Sequence, residues 1–336
     1  MSVAAEPDLI ITRTPLRVSL AGGGTDLPAY YDQGAGAVLS TTVGRYVYVT
    51  VKRHGPVFDE RVRLNYSLSE SVHEIDAIRN NIARECLRLL GIDPPIYVSV
   101  VSDLPDSSGL GGSSSFAVGL LNALHVMRGE WVDARQLAEE ASHVEMDLLG
   151  EPIGKQDTYA AAFGGMNLFH FQPDGTVTID EQRPQPDTLD RLFSSMLMVW
   201  TGHQRRASSV LLEQRDKTSA NRTVLDQMRE HAFEVREMIH DGGFRPEQLG
   251  RLLDASWALK RSLASNVSNE QLNHWYDAAC AAGAWGGKVC GAGGGGFFLF
   301  IAPPEAHADI CAAMGDLRSV PLTYSAEGSK VLLPIQ

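Results

Sequence analysis

One segment of the chain, residues 104–116, restricts the possible folds more than any other. It reads Leu-Pro-Asp-Ser-Ser-Gly-Leu-Gly-Gly-Ser-Ser-Ser-Phe and lies between a strand-like run at 96–101 and an apolar, helix-like run at 116–127. Glycines allow backbone N–H groups to turn toward a ligand, and the start of the following helix adds unpaired donors with a partial positive charge. The hydroxyls of residues 113–115 could also bind phosphate oxygens or a metal ion. The segment predicts a strand–loop–helix unit that binds phosphate, with a flexible Gly/Ser connector as the alternative.

Length, charge and cysteine content exclude several classes of protein. The 336 residues leave room for two domains, and the net charge of −12 argues against a nucleic-acid surface without excluding a local basic pocket. The four cysteines are scattered without a Cys-x-x-Cys pair, which indicates reduced thiols and no zinc site. Residues 1–7 lack a signal-peptide pattern, and no apolar run approaches the roughly 18 residues of a membrane span. We therefore expect a cytoplasmic protein without a nucleic-acid or membrane partner.

The first half of the chain reads as mixed strand and helix. Strand-like runs rich in β-branched and aromatic residues lie at 9–12, 17–21, 46–52 and 96–101. Apolar residues near helical spacing predict a helix over 72–90 that ends at Gly91. Asp133 and Gln136 resemble a capping box for a helix to about Leu149. The runs 166–171 and 176–179 predict a hairpin around Asp174-Gly175.

The stretch 182–190 is the most linker-like, so we expect a boundary between domains of residues 1–185 and 186–336. The second half then begins with a strand at 195–201, and helical patterns dominate from about 206 to 282. The remaining tail predicts a small α+β unit, with strands at 287–290 and 297–301, a helix at about 305–317 and a last strand.

Two further glycine-rich loops lie at residues 21–26 and 291–296. The latter formally satisfies Gly-x-Gly-x-x-Gly, but a dinucleotide-binding fingerprint opens a helix, and here the glycines precede the strand-like run 297–301. A P-loop is absent from the sequence too, because Lys288 is followed by Val289. The pattern therefore argues against both common nucleotide-binding motifs.

The chain also carries candidates for each part that phosphoryl transfer requires, namely a phosphate cradle, Mg²⁺ ligands, a group that accepts or orients the hydroxyl proton, and cations. Glu145 could hold Mg²⁺ together with a serine of the loop, and Asp157 could act as the base or orienting group. Arg17 could lie close enough to stabilise the aspartate charge, and Asp26 could accept hydrogen bonds from sugar hydroxyls. Each has a plainer alternative. Glu145 could be a solvated helix carboxylate and Asp157 a helix N-cap. Arg17 could be a surface strand residue and Asp26 part of an Asx turn.

The order and spacing of the three loops resemble the GHMP kinase superfamily, which includes galactokinase, homoserine kinase, mevalonate kinase and phosphomevalonate kinase. The matching segments are residues 14–26, 104–115 and 288–296, which together span nearly the whole chain. The resemblance implies an α+β, two-domain fold with an N-terminal domain like ribosomal protein S5 domain 2 and a ferredoxin-like C-terminal domain. It also implies ATP and Mg²⁺ as cofactors and a small-molecule substrate.

The resemblance assigns roles residue by residue. Asp157 is implied as the catalytic aspartate and substrate contact, Arg17 as its support, and Ser113 with Glu145 as the Mg²⁺ ligands. Many members read Gly-Leu-Gly-Ser-Ser-Ala where this chain has Gly-Leu-Gly-Gly-Ser-Ser, so the serine ligand could instead be Ser114. The residues implied to bind ATP are Pro105, Ser108, Gly109, Leu110, Gly111, Gly112, Ser113 and Ser114. Those implied to bind the substrate are Gly23, Gly24, Thr25, Asp26, Gly293 and Gly294.

Within the superfamily, the triple glycine before Thr25 and Asp26 is similar to the branch that phosphorylates D-glycero-D-manno-heptose 7-phosphate at the anomeric C1 hydroxyl. Segments 154–165 and 201–207 also resemble that branch, whose product feeds the synthesis of nucleotide-activated heptose. Fucokinases have a related opening motif and are the nearest rival. A non-catalytic sugar or nucleotide sensor is a third reading, which the presence of both Glu145 and Asp157 disfavours.

A sugar phosphate requires local positive charge in this acidic chain. Arg205 and Arg206 precede a predicted helix, whose N terminus also favours anions, so they are the first candidates for the substrate phosphate. Lys155 and Lys288 are further cations close to the motifs. The sequence leaves the oligomeric state open, with a homodimer among the options.

Overall fold

Strands and helices of this chain are arranged around two sheets in the part that the structure describes. A computed structural model describes residues 8–55, 57–204 and 208–335. The strands are β1 Leu9–Ala21, β2 Gly36–Arg53, β3 Val62–Asn65, β4 Ser69–Val72, β5 Ile96–Ser102, β6 Met166–Phe171, β7 Val177–Gln182, β8 Met196–Trp200, β9 Gly286–Val289, β10 Phe297–Ile301, β11 Ser319–Val320 and β12 Lys330–Ile335.

The helices follow the same order along the chain. They are α1 Pro28–Tyr31, α2 Asn81–Leu89, α3 Gly112–Met127, α4 Ala134–Ser142, α5 Gln156–Phe163, α6 Pro186–Ser195, α7 Ser208–Asp216, α8 Arg222–His240, α9 Pro246–Arg261, α10 Glu270–Ala281 and α11 His307–Ala313. Single 3-10 turns lie at Ile75–Ala77 and Pro304–Ala306, and a π-helical turn lies at His143–Leu148. Among the described residues, no helix combines the length and apolar character needed to cross a membrane.

The larger sheet is organised by β2, which is long enough to pair with two strands along one edge. Its first part, 36–41, pairs with β6, and its last part, 47–53, pairs with β5, both antiparallel. The main strand order is β12-β1-β2-β5-β3-β4, and β7 extends the branch through β6. The pair β3–β5 is parallel. The glycine loop that follows β1 and the serine-glycine loop that follows β5 therefore leave neighbouring parts of one sheet.

Helix α3 is the central helix against this sheet. Every residue from Ser114 to Met127 is buried, as expected for a helix that is covered on all sides. Thr12 Oγ1 donates to the carbonyl oxygen of Gly119 at 2.8 Å, and a Cβ at Gly119 would lie 2.7 Å from Thr14 Oγ1. This close approach of helix and strand fixes where the N terminus of α3 lies.

The smaller sheet is antiparallel, with the order β11-β8-β10-β9. All residues of β10 are buried, and Phe298 and Phe300 pack with Trp257 and Tyr276 from the covering helices. Helix α8 contacts the N-terminal part of the chain, because Asp226 accepts a 2.5 Å hydrogen bond from the hydroxyl of Tyr30 on α1. A cleft lies between the two sheets and is lined by residues from both sides.

The structure confirms the hairpin β6–β7, the strand 297–301 and the helical stretch 208–281.

The two strands expected at 9–12 and 17–21 are one continuous strand of 13 residues. The expected helix to Leu149 changes into the π-helical turn after Ser142. The linker-like stretch 182–190 instead contains the start of α6, with Pro186 in its first turn. The last strand is not part of a separate tail unit, since β12 pairs with β1. The domain boundary at 185–186 stays a prediction.

The helix expected over 72–90 was wrong for its first half. Residues 69–72 form β4, and α2 begins only after Asn80, whose side chain accepts from the Ala83 N–H. The buried Glu70 carboxylate accepts the N–H groups of Arg79 and Asn80, at 2.7 and 3.1 Å. These carboxylate and amide contacts hold the backbone before the helix in a non-helical conformation, which apolar spacing alone did not reveal.

Removal of the Asn80 cap should measurably destabilise the protein. Asn80→Ala leaves the Ala83 N–H without its partner, so we expect the free energy of unfolding to fall by about 1 kcal/mol. Asn80→Asp retains an oxygen acceptor and should restore most of the loss. Urea unfolding of the three proteins provides the comparison, and equal losses for Ala and Asp would show that the cap is not the cause.

Candidate active site

The three glycine-rich loops meet in one cleft between the larger and the smaller sheet. The cleft has a volume of about 710 Å³ and is lined by parts of all three loops. Residues from β1, α3, α5, α7, α8 and α9 complete its wall. The first and third loops start 270 residues apart in the sequence, at residues 21 and 291, so the fold brings together what the spacing only suggested.

Glycine is required where the second and third loops touch. Gly109 has φ +85°, and a Cβ there would lie 2.6 Å from the carbonyl oxygen of Cys290. Gly291 has φ +63°, and its Cβ would lie 2.7 Å from the Gly109 Cα. The Phe297 N–H donates to the carbonyl oxygen of Ser108 at 3.1 Å. The two backbones therefore pack against each other without intervening side chains, which keeps the cleft floor closed.

The N terminus of α3 opens into the cleft. Gly111 is the N-cap in the left-handed conformation, with φ 76°, and its carbonyl oxygen accepts from the Ser115 N–H at 2.9 Å. The N–H groups before Ser115 have no partner within the helix, and a Cβ at Gly112 would meet nothing within 4 Å. This combination of free donors, open space and a positive helix end can bind phosphate oxygens.

Arg17 and Asp157 form a two-pronged ion pair at the centre of the cleft. Arg17 donates from Nε to Asp157 Oδ1 at 2.7 Å and from Nη2 to Oδ2 at 2.6 Å. The third side-chain nitrogen, Nη1, donates to the Gly109 carbonyl oxygen at 2.7 Å. The backbone N–H of Arg17 donates to the Leu110 carbonyl oxygen at 3.0 Å. One arginine thus links β1, the serine-glycine loop and the start of α5.

The loop after β1 places Asp26 in the same cleft, and Thr25 behind it. Asp26 Oδ1 accepts from the Gly24 N–H at 2.9 Å, and burial, with Asp157 as the next cause, raises the pKa of its carboxyl. Gly154 leaves room for this carboxylate, because a Cβ there would lie 2.1 Å from Asp26 Oδ2. The fully buried Thr25 hydroxyl instead bonds to the backbone of Gly22 and Ala37. Thr25 therefore fixes the loop and does not line the cleft.

Glu145 is buried on the wall beneath the start of α3. Ser114 Oγ donates to Glu145 Oε2 at 2.6 Å, so the second of the two candidate serines makes this contact. Burial raises the pKa of Glu145 to about 7, although hydrogen bonds from Ser114 and Ser113 favour its charged form. The π-helical turn turns this carboxylate toward the cleft instead of toward solvent.

This donor set fits Mg²⁺ held jointly with a nucleotide. Mg²⁺ is commonly bound through one or two carboxylates, with phosphate oxygens and water as the other ligands. Glu145 and Ser114 supply hard oxygen donors, and a nearby cation would favour the charged form of the buried carboxylate. In the described ranges, no group of three or more His, Cys, Asp or Glu side chains could hold a metal alone.

Three polar side chains of the cleft escaped the sequence analysis in whole or in part: the buried Lys288, the partly buried Lys260 and the buried Gln214. Lys288 was one of several candidate cations, whereas Lys260 and Gln214 belong to helices without a motif. All three side chains line the cleft. No signal in the single sequence singled out Lys260 or Gln214, because both lie in a region where the sequence showed only a helical pattern.

Several expected site residues lie elsewhere. Pro105 is exposed, and Leu110 contributes its carbonyl oxygen but has a buried side chain. Gly293 lines the cleft, whereas the Gly294 N–H bonds to the Val267 carbonyl oxygen. Lys155 Nζ contacts Glu139 and the Gly175 carbonyl oxygen outside the cleft.

The remaining expected residues that line the cleft are Gly23, Gly24, Ser108, Gly109, Gly111, Gly112, Ser113 and Ser114. Arg205 and Arg206 lie outside the described residues.

Comparison with known proteins agrees with this geometry. Residues 77–165 match the GHMP kinases N terminal domain, and residues 237–315 match the GHMP kinases C terminal family. The D-glycero-alpha-D-manno-heptose 7-phosphate kinase of Campylobacter jejuni is 31% identical over 91% of this chain and 93% of its own length. The L-fucokinase/L-fucose-1-P guanylyltransferase of Bacteroides fragilis is 26% identical over 95% of this chain, but over 38% of its own length.

A solved structure has the same fold. The D-glycero-D-manno-heptose 1-phosphate kinase of Bacteroides thetaiotaomicron superposes with a TM-score of 0.78 and is 24% identical, covering 96% of this chain and 99% of its own. The chain therefore belongs to the GHMP kinases and has their two-domain α+β fold. More specifically, it is an ATP-dependent sugar kinase.

Gly111 and Gly129 offer matched positions at the two ends of α3, with φ of 76° and 75°. A Cβ at Gly111 lies 3.3 Å from Arg17 Cγ and 3.4 Å from Asp157 Oδ2, whereas one at Gly129 meets nothing within 4 Å. Valine at either position strains the left-handed backbone. Only Gly111→Val should also weaken ATP binding, by about tenfold or more. Calorimetry with a non-hydrolysable ATP analogue tests this, and equal affinities for the two variants would make the loop a connector.

Glu145 should make the stability of the nucleotide-free, metal-free protein depend on pH. Its folded-state pKa is raised from 4.5 to about 7, so its contribution is fully present below pH 4.5 and is lost as pH rises through about 7. Glu145→Gln stays neutral and should therefore gain about 3 kcal/mol relative to the unaltered chain between pH 4.5 and 8. Urea unfolding at several pH values measures this gain. A difference that does not change with pH would show that the pKa of Glu145 is not raised in the folded protein.

Proposed function

We propose that this chain transfers the γ-phosphoryl group of ATP to the anomeric C1 hydroxyl of D-glycero-D-manno-heptose 7-phosphate, in the route to nucleotide-activated heptose. The observation that carries the proposal is the Arg17–Asp157 pair, which lies between the open N terminus of α3 and the Asp26 loop. The choice of sugar is supported by the triple-glycine loop and by the heptose kinase relative that covers most of both chains.

Asp157 is positioned to orient the sugar hydroxyl. Both of its oxygens accept from Arg17, but a carboxylate oxygen has two lone pairs, so each can accept a second hydrogen bond. Phosphoryl transfer with a loose transition state needs an aligned nucleophile more than a strong base. Asp157 would accept the C1 hydroxyl hydrogen, and the Arg17 clamp would fix the direction of that contact.

The phosphate side of the reaction would use the start of α3. Its free N–H groups and helix dipole favour negative charge on the β- and γ-phosphates. Glu145 and Ser114 would hold Mg²⁺, which when bound would neutralise phosphate charge. Asp26, whose carboxylate is fixed by the Gly24 N–H, would accept hydrogen bonds from sugar hydroxyls on the opposite side of Asp157.

A fucokinase-like enzyme that needs no phosphate on its sugar is the second candidate. It is favoured by the Bacteroides fragilis relative, whose similarity extends over 95% of this chain. The two candidates differ in the sugar and in whether the sugar must carry a phosphate. The homodimer and the cytoplasmic location stay predictions.

Replacement of Asp157 tests its role in the transfer step. Asp157→Asn keeps the shape but removes the charge that pairs with Arg17, so kcat should fall roughly a hundredfold or more, within the range of general-base losses. Asp187→Asn provides a matched control, because Asp187 is exposed and forms an ion pair with Arg191 one turn further along α6. Steady-state kinetics and thermal unfolding should be compared. Near-normal turnover of a folded Asp157→Asn enzyme would remove Asp157 from the mechanism.

A substrate screen tests the proposed function itself. ATP consumption should be measured with heptose 7-phosphate, free heptose, fucose, galactose and mevalonate, and the phosphorylated position should be determined by ³¹P–¹H NMR. We expect heptose 7-phosphate to be preferred by about a hundredfold or more in kcat/KM, because a buried phosphate contact discriminates strongly against its absence. Equal use of free heptose, or preference for fucose, would instead support the fucokinase-like enzyme.

A further inference from the structure

Two lysine side chains end inside the cleft close to the reaction centre. Lys260, near the end of α9, donates from Nζ to the carbonyl oxygens of Val289, at 3.3 Å, and Gly291. Lys288, in β9, is 8% exposed and donates from Nζ to the carbonyl oxygen of Leu20 at 3.3 Å. The two ammonium groups therefore lie where the third glycine loop meets β1, three residues along that strand from Arg17.

Burial and neighbouring positive charge lower the pKa values of both ammonium groups. Burial is the main cause that lowers the pKa of Lys260 to about 8. Burial, followed by the charge of Lys260, lowers the pKa of Lys288 to about 7. The Arg17 guanidinium lowers both values further. An anion placed among these three basic groups would favour their charged forms.

No carboxylate among the described residues forms an ion pair with Lys260 or Lys288. Asp157 is bound by Arg17. Asp26 raises the pKa of Lys260 through its charge but does not come within ion-pair distance of it. Burial raises the pKa of the neighbouring Cys290 thiol, so this group does not supply the anion. The lysine ion pairs in the described ranges join other residues: Lys155 with Glu139, Lys217 with Glu213 and Lys330 with Glu327.

A third group on the same wall lacks a partner. Gln214, on α7, is 3% exposed, and its Nε2 has no hydrogen-bond partner within the described part of the chain. It lies over the first glycine loop, because a Cβ at Gly24 would come within 2.3 Å of that nitrogen. A buried donor without a partner is costly, so its position on the cleft wall points to an oxygen of the ligand.

We propose that Lys260 and Lys288 form the subsite for the phosphate monoester of the sugar substrate, with the Gln214 amide as a donor to an adjacent oxygen. The inference rests on the proposed function, and it assigns phosphate recognition to α9 and β9. The donors proposed for the nucleotide phosphates are different groups, the backbone N–H groups at the start of α3. A phosphate dianion between the two lysines supplies the negative charge that the described residues do not.

The charge of each lysine can be removed with little change in volume. Lys260→Met and Lys288→Met should each raise KM for heptose 7-phosphate by about tenfold or more, with KM for ATP unchanged, because a charge-assisted hydrogen bond to phosphate is lost. Calorimetric titration of the sugar phosphate without nucleotide should show a similar rise in Kd. Lys260→Arg keeps the charge and should retain most of the affinity. Thermal unfolding should be used to check that each variant is folded. If Lys288→Met does not fold, Lys260→Met alone provides the test.

Lys217→Met is the matched control, because Lys217 is half exposed and paired with Glu213. A rise in KM for ATP instead of the sugar phosphate would place the lysines on the transferred phosphoryl group and overturn the subsite. Unchanged KM values in an enzyme that requires the sugar phosphate would overturn the subsite and leave the proposed function standing. An unaltered enzyme that uses free heptose equally well would overturn the proposed function, and the subsite with it.

Discussion

The ion pair between Arg17 and Asp157 is the contact on which the rest of the cleft depends. Arg17 uses all three side-chain nitrogens, two on the aspartate and one on the Gly109 carbonyl oxygen. Since Arg17 is on β1 and Asp157 lies in the first turn of α5, the pair fixes the start of this helix against the larger sheet. The Gly109 contact fixes the serine-glycine loop against both. A lysine could supply the charge, but a single ammonium group cannot reproduce this planar, three-way geometry.

Basic side chains are concentrated in the cleft although the chain as a whole is acidic. The net charge is −12, yet the described part of the cleft contains Arg17, Lys260 and Lys288 together. Burial acts on the acids and the bases in the same direction, toward their neutral forms, as Glu145 and Lys288 show. An anion bound in the cleft would favour the charged forms of the lysines, and a bound cation would favour the charged form of Glu145, so protonation and ligand binding would be coupled.

The sequence was sufficient for the glycine loops and for the polar residues at fixed positions within them. Gly109, Gly111 and Asp26 lie where the motifs placed them, because left-handed backbone and close loop contacts restrict those positions to few residue types. It was insufficient where a contact distant in sequence decides local structure. Glu70 holds residues 79–80 out of the expected helix, and Lys260 reaches the cleft only because α9 packs beside β9. Thr25 belongs to the same class, since only the position of Ala37 shows that its hydroxyl is used by the backbone.

A double-mutant cycle on kcat tests the coupling between Arg17 and Asp157 most directly. The four proteins are the unaltered enzyme, Arg17→Lys, Asp157→Asn and the combination of both changes. If the two residues act as one unit, the double variant should be no slower than the slower single variant, so the losses should not add. Losses in kcat that multiply in the double variant would show that Arg17 and Asp157 act independently, and would contradict the central role of their ion pair.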